Sequence, residues 1–190
     1  MSLTFEKPSP PTFELQVMQI AALGTWQIVT GKPMIKPLVP INDPRWDKKT
    51  GVFVTLKVAG HIRGSVGLLE SSTTLQETLF DAGQSAATHD HRYTPVQEDD
   101  IDSLGIEVTL IDQIHKITES SQVKVGENGL IINQGDKRSV LLPHVAFEQG
   151  WTAEQFLEAT CEKAGLPLDA WKDPNTLVEC FSCIVLEADS

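Results

Sequence analysis

Residues 51–58 and 61–70 are two β-type runs separated by Ala59-Gly60, and this pair commits the chain to an antiparallel hairpin. The second run reads His61-Ile62-Arg63-Gly64-Ser65-Val66-Gly67, so two glycines, an arginine and a serine interrupt an otherwise apolar strand. Glycine weakens a strand interior, and it marks a bulge or a place where a ligand comes close to the backbone. Breaks of a local rule tend to fall at functional sites. The strand is therefore the first candidate for function as well as for fold.

The flanking segments decide what the hairpin packs against. Between Thr12 and Thr30, Leu15, Met18, Ala22, Trp26 and Val29 recur at helical spacing, with Ile20 and Leu23 widening the stripe and Gly31 placed to end it. Residues 1–11 close on Pro8-Ser9-Pro10-Pro11 and read as a flexible arm. Residues 32–50, with Pro33, Pro37, Pro40 and Pro44, read as an extended connection across the body of the fold. After the hairpin, a helix capped at Thr73 or Thr74 carries Leu75, Leu79, Ala82 and Ala86 on one face and ends at His89–Tyr93. Gln97–Ser103 reads as a short helical turn, Gly105–Asp112 as an alternating strand, and 129–133 with 139–142 as a second hairpin. Thr152 and Gln155 form a T-x-x-Q capping box, with Trp151 and Phe156 at the positions of a hydrophobic staple. That helix runs to Ala164 and stops at Gly165; Leu177–Leu186 is a closing strand. Hairpins and helices mix without a βαβ rhythm, so the expected class is α+β: a mainly antiparallel sheet built from hairpins, packed with three or four helices. The domain reading is an arm over 1–11 and one domain over 12–190, with scope for a smaller lobe around 113–145.

Composition narrows the function classes. The chain has 190 residues and a net charge of −11, which disfavours non-specific binding to nucleic acid or to an anionic membrane surface. No apolar run approaches a membrane span, and the N-terminal residues lack a secretory pattern. Three cysteines, an odd number, argue against a disulfide framework and for a reducing, cytoplasmic setting.

Several separated blocks then occur in a recognisable order. They are Phe53-Val-Thr-Leu-Lys with Arg63-Gly-Ser-Val-Gly; Ser85-Ala-Ala-Thr-His-Asp-His-Arg-Tyr-Thr-Pro-Val; and Ile106-Glu-Val-Thr-Leu. Gly126-Glu-Asn-Gly-Leu, Leu141-Leu-Pro-His-Val and Cys161-Glu-Lys-Ala-Gly-Leu-Pro follow, with Trp171 after them. This set resembles the AMMECR-type family, named for the AMME syndrome candidate region, which in prokaryotes includes protein A of the AmmeMemoRadiSam system. The resemblance spans roughly residues 12–187. It implies a compact α+β protein that works beside a radical SAM protein and a Memo-like protein, with no activity of its own assigned. Two departures stand out. The family's Arg-Gly-Cys-Ile-Gly has serine at Ser65 here, and its Asp-Pro-Arg-Phe reads Asp90-His91-Arg92-Tyr93. A serine replaces a thiolate nucleophile only with a base to activate it.

The candidate site follows from geometry. From Ser65 to Glu70 the strand rises about 17 Å, and a helix from Thr74 to His89 returns about 22 Å. Packed antiparallel, the helix brings His89–Tyr93 back to the level of Arg63–Ser65. Arg63, Gly64, Ser65, Gly67, Arg92, Tyr93 and Glu107 are then the ligand-binding candidates, for an anionic or carboxylate group that paired arginines would grip. The competing reading is a structural ion pair of these arginines with Glu107 or Asp90. Weaker readings are catalysis by Ser65 with His144 or His61, and a metal held by His89, His91, His144 and Glu148. Cys180 and Cys183 read as core or half-buried thiols, Cys161 as a core thiol, and Trp46 as a loop contact, a pocket cover or an interface anchor. No cofactor is expected. The preferred function is an accessory module that binds a ligand or partner segment, with a homodimer left open. The alternative is an enzyme acting on a nucleotide, a metabolite or a modified macromolecule at the same pocket.

Overall fold

The computed structural model describes residues 12–32 and 43–188. The expected N-terminal arm and most of the proline-rich connection lie outside the described residues. The elements are α1 (Phe13–Thr30), β1 (Val52–Val58), β2 (His61–Leu68), α2 (Leu75–Thr88), β3 (Leu104–Lys116), β4 (Asn128–Gln134), β5 (Lys137–Leu141), α3 (Pro143–Glu148), α4 (Ala153–Lys163) and β6 (Leu177–Ala188). The strands form a six-stranded sheet in the order β2-β1-β3-β6-β4-β5. The pairs β1/β2, β1/β3, β4/β5 and β4/β6 run antiparallel, so the fold is α+β. The described residues divide into two compact units, those up to Leu110 together with 185–188, and residues 111–184.

In the first unit, Thr12 caps α1 through the Leu15 N–H, and Gly31, at φ 64°, closes it with an N–H bond to the Gln27 carbonyl. The buried face of α1 is rotated from the stripe that starts at Leu15, which is 49% exposed. Met18 and Ile20 of that stripe are buried, and Phe13, Gln16, Val17, Ala21, Gly24 and Thr25 complete the face. Small residues explain the rotation. A Cβ on Gly24 would lie 2.2 Å from the Phe80 carbonyl oxygen, and one on Gly83 would lie 2.3 Å from that of Ala21. The two helix backbones meet where no side chain intervenes.

Helix α2 begins with a full capping box, Thr74 with Glu77. Its Leu75, Leu79, Ala82 and Ala86 join Val52, Val54 and Leu56 of β1 and Val108 of β3 in one apolar cluster. Burial of a side chain such as Leu56 or Leu79 contributes about 2–3 kcal/mol. The hairpin turns on Ala59 (φ 51°) and Gly60 (φ 78°), both left-handed, as a two-residue turn of the twisted kind requires. Trp46 belongs to this core rather than to a pocket rim: it is buried, with its ring centroid 4.7 Å from that of Phe13.

In the second unit, β4 and β5 form the second hairpin around Gly135. Helix α4 opens with the expected Thr152/Gln155 box and packs Phe156, Leu157 and Cys161 onto Leu130, Ile132, Val178 and Cys180. Strand β3 runs longer than its alternation predicts. It continues to Lys116, where alternation fails, because a neighbouring strand holds it there: the Ile117 N–H bonds to the Val178 carbonyl at 3.0 Å.

Candidate functional site

Strand β2 lies at one end of the strand order, so one of its edges has no strand partner among the described residues. Its register with β1 runs from Val52↔Leu68 to Leu56↔Gly64 and then shifts to Lys57↔Ile62, which leaves Arg63 in a bulge. A bulge re-aims the extra side chain.

The two glycines answer to the protein's own backbone. A Cβ on Gly64 would lie 1.9 Å from the Ala86 carbonyl oxygen of α2. One on Gly67 would lie 2.1 Å from the Val52 carbonyl oxygen and 2.5 Å from the Phe53 Cα. Close approach by a ligand, the expectation from sequence, is not needed to explain either.

Ser65 is held on three sides. Its hydroxyl lies 2.8 Å from the Thr55 hydroxyl across the hairpin. Its N–H donates to Asp90 Oδ2 at 2.9 Å, and its carbonyl accepts from Arg92 Nη2 at 3.0 Å. Arg92 in turn grips Asp90 in a bidentate pair, Nε to Oδ1 at 2.8 Å and Nη2 to Oδ2 at 2.7 Å. Side chains from the segment after α2 thus fill the place of a neighbouring strand. The Arg92 hydrogen bond holds the Asp90 carboxyl down to about 2; burial opposes this, and the N–H groups of Ser65 and Arg92 assist.

The remaining candidates separate into two groups. Arg63 Nη2 meets both carboxylate oxygens of Asp100, at 3.1 and 3.2 Å, and Tyr93 lies beside the Arg92 guanidinium, 5.3 Å from carbon to ring centre. These two sit with Ser65 and Arg92 along the end strand. Glu107 pairs in register with Thr55, but its carboxylate accepts from Lys57 Nζ at 3.0 Å. Lys57 also donates to Glu187 at 2.7 Å, and Glu187 first, then Glu107, raises the pKa of the ammonium against the effect of burial. The arginines therefore do not converge on one open acceptor. Arg92 has Asp90 and Arg63 has Asp100, a partner that sequence reasoning missed. The Gln97-x-x-Asp100 capping spacing was its one local signal, since Asp100 also accepts from the Gln97 N–H.

The catalytic and metal candidates are not assembled. Among the described residues the Ser65 hydroxyl meets Thr55 and no imidazole, and a threonine hydroxyl is not a base. His144, at the start of α3, is exposed, as are His89, His91 and Glu148. His89 Nδ1 sits 2.8 Å from the Thr88 hydroxyl. Among the described residues no three His, Cys, Asp or Glu side chains gather as a group able to hold a metal ion. One juxtaposition had no sequence signal: Cys180 Sγ lies 3.0 Å from His115 Nε2. Burial pushes the Cys180 thiol pKa up. Cys161 and Cys180 are buried and Cys183 is half-buried.

Fold and site together define a class: an α+β protein whose antiparallel sheet ends in a glycine-bearing strand clipped by an aspartate–arginine pair. The AMMECR1 family model matches residues 20–186, and the chain belongs to that family. A Methanothermobacter thermautotrophicus protein is 40% identical over 75% of this chain and 77% of its own length. A Thermococcus kodakarensis protein is 34% identical over 91% of this chain and 89% of its own. The crystal structure of an uncharacterised protein from Pyrococcus horikoshii superposes with a TM-score of 0.80 at 32% identity, covering 90% of this chain and 88% of that one. Among the described residues no helix is long and apolar enough to cross a membrane.

Proposed function

We propose that this chain is a binding module rather than a catalyst, and that it takes an anionic or carboxylate group of a ligand or partner segment beside strand β2. One observation carries the reading. The Arg92 side chain is 64% exposed, yet three hydrogen bonds fix its guanidinium in place. Those bonds use Nε and Nη2, so the Nη1 side presents a preset donor pair to solvent. A group ordered in advance loses less entropy when it binds. Arg63 spends only Nη2 on Asp100 among the described residues and supplies a second guanidinium on the same strand. Because Asp90 and Asp100 already balance both charges, recognition rests on hydrogen-bond geometry more than on net attraction. The enzyme alternative lacks an activated nucleophile at Ser65. In the setting that the family resemblance implies, the anionic group belongs to a radical SAM or Memo-like partner or to the molecule they modify.

The test is an amide-shift titration with phosphate and with acetate at constant ionic strength, using chloride as the control. Saturable shifts at Ser65, Asp90 and Arg92 are expected, with affinity reduced roughly tenfold, about 1.4 kcal/mol, in a folded Arg92→Gln variant. Shifts that never saturate, or that chloride reproduces, rule the reading out.

A further inference from the structure

Both end strands of the sheet have main-chain groups taken by charged side chains. On β5, Lys163 Nζ donates to the Val140 carbonyl at 2.8 Å. On β2 the arrangement is more complete, because Asp90 accepts the Ser65 N–H while Arg92 donates to the Ser65 carbonyl. An acceptor and a donor exchanged with one residue is what a hydrogen-bonded antiparallel neighbour would offer. Ser65 is also the fifth of the eight residues of β2, the midpoint from which pairing would spread.

We infer that Asp90 and Arg92 are an edge guard, which occupies the main-chain groups through which β2 would pair with the β2 of a second copy of this chain. Unpaired edges are templates for strand addition, and proteins blunt them. A glycine-bearing strand needs this most, because its register is weakly specified and alternate pairings come easily. The occupant is a second copy because a two-fold pairing centred on Ser65 is self-complementary. It sets Ser65 against Ser65, Gly64 against Val66, Arg63 against Gly67 and Ile62 against Leu68, so each of the three pairs nearest the centre holds a glycine or a serine. The guard acts by occupation rather than repulsion, since the charges of Asp90 and Arg92 cancel. This device is independent of anion binding at Arg92.

The experiment is sedimentation velocity over a wide concentration range on the double variant Asp90→Ala/Arg92→Ala, with hydrogen exchange at the Ser65 amide. The expected result is self-association at least tenfold tighter than wild type, about 1.4 kcal/mol, with Ser65 protection that grows with protein concentration. A folded variant that sediments like wild type, with faster Ser65 exchange at every concentration, overturns the inference. If circular dichroism shows the double variant unfolded, Arg92→Ala alone frees the Ser65 carbonyl and is judged by the same two outcomes. The anion titration is read separately, so the two ideas fail independently.

Discussion

At Gly64 the absence of one methyl group lets a strand lie against a helix. Gly64→Ala places a carbon 1.9 Å from the Ala86 carbonyl oxygen, both of them on backbone that yields only by moving α2. The expected loss is about 2–3 kcal/mol, read as a lower urea midpoint at unchanged slope. Asp90 carries a second prediction. Its folded pKa, about 2, lies below the ordinary 3.8, so the unfolded chain binds the proton more readily between those values. The stabilisation is full above the unfolded pKa and is lost as pH falls through the folded one. The difference amounts to about 2 kcal/mol. Asp90→Asn should therefore cost about that much at neutral pH. The gap to wild type should close as pH falls from about 5 to about 2, measured by urea unfolding across that range. Both residues show how far the sequence was legible. Gly64 stood out because glycine breaks a strand's pattern, but what approached it could be a ligand, a partner or α2, and only tertiary packing decides. The return of Asp90–Tyr93 to the level of Ser65 followed from strand and helix rises. That Arg92 would spend three donors on Asp90 and a main-chain carbonyl did not, because side-chain pairing has no periodicity to read.

Elements were legible where their signals are local. The Thr152/Gln155 box sits where spacing puts it, and of the two caps expected for α2, Thr73 or Thr74, it is Thr74 that caps, since a cap involves residues three apart. Thr152→Ala removes the acceptor for the Gln155 N–H and should cost about 1 kcal/mol, with fraying at the start of α4 visible as faster amide exchange at Gln155. Helix α1 was legible in extent but not in orientation. Its apolar residues run most of the way round, so the stripe through Leu15 and Trp26 was as good a face as any. The choice was made by Gly24 and Gly83, whose lack of side chains lets α1 and α2 touch. Strand β3 outran its alternation for a similar reason, its second half being fixed by a neighbouring strand rather than by its own pattern.

On the scale of the whole molecule, the α+β class and the antiparallel hairpins were readable, while the strand order was not. Hairpins announce their own pairing, but the order in which hairpins and single strands meet is set by contacts far apart in the chain. That order has a consequence for synthesis. Strand β6 is made last of the six, yet it lies between β3 and β4 in the sheet. Until residues 177–188 have left the ribosome, β3 and β4 each present an unpaired inner edge, and the half-made sheet is exposed to wrong partners. A chain ending at Thr176 should accumulate as aggregate or be degraded, whereas the full chain is recovered, as fractionation of expressing cells would show. Ribosome-bound chains lacking β6 should likewise favour the binding of a general chaperone, which pulse-labelling with affinity capture of the nascent chain would register. The nascent protein is thus most vulnerable just before its synthesis of the sheet ends, and the step that closes the sheet also removes that hazard.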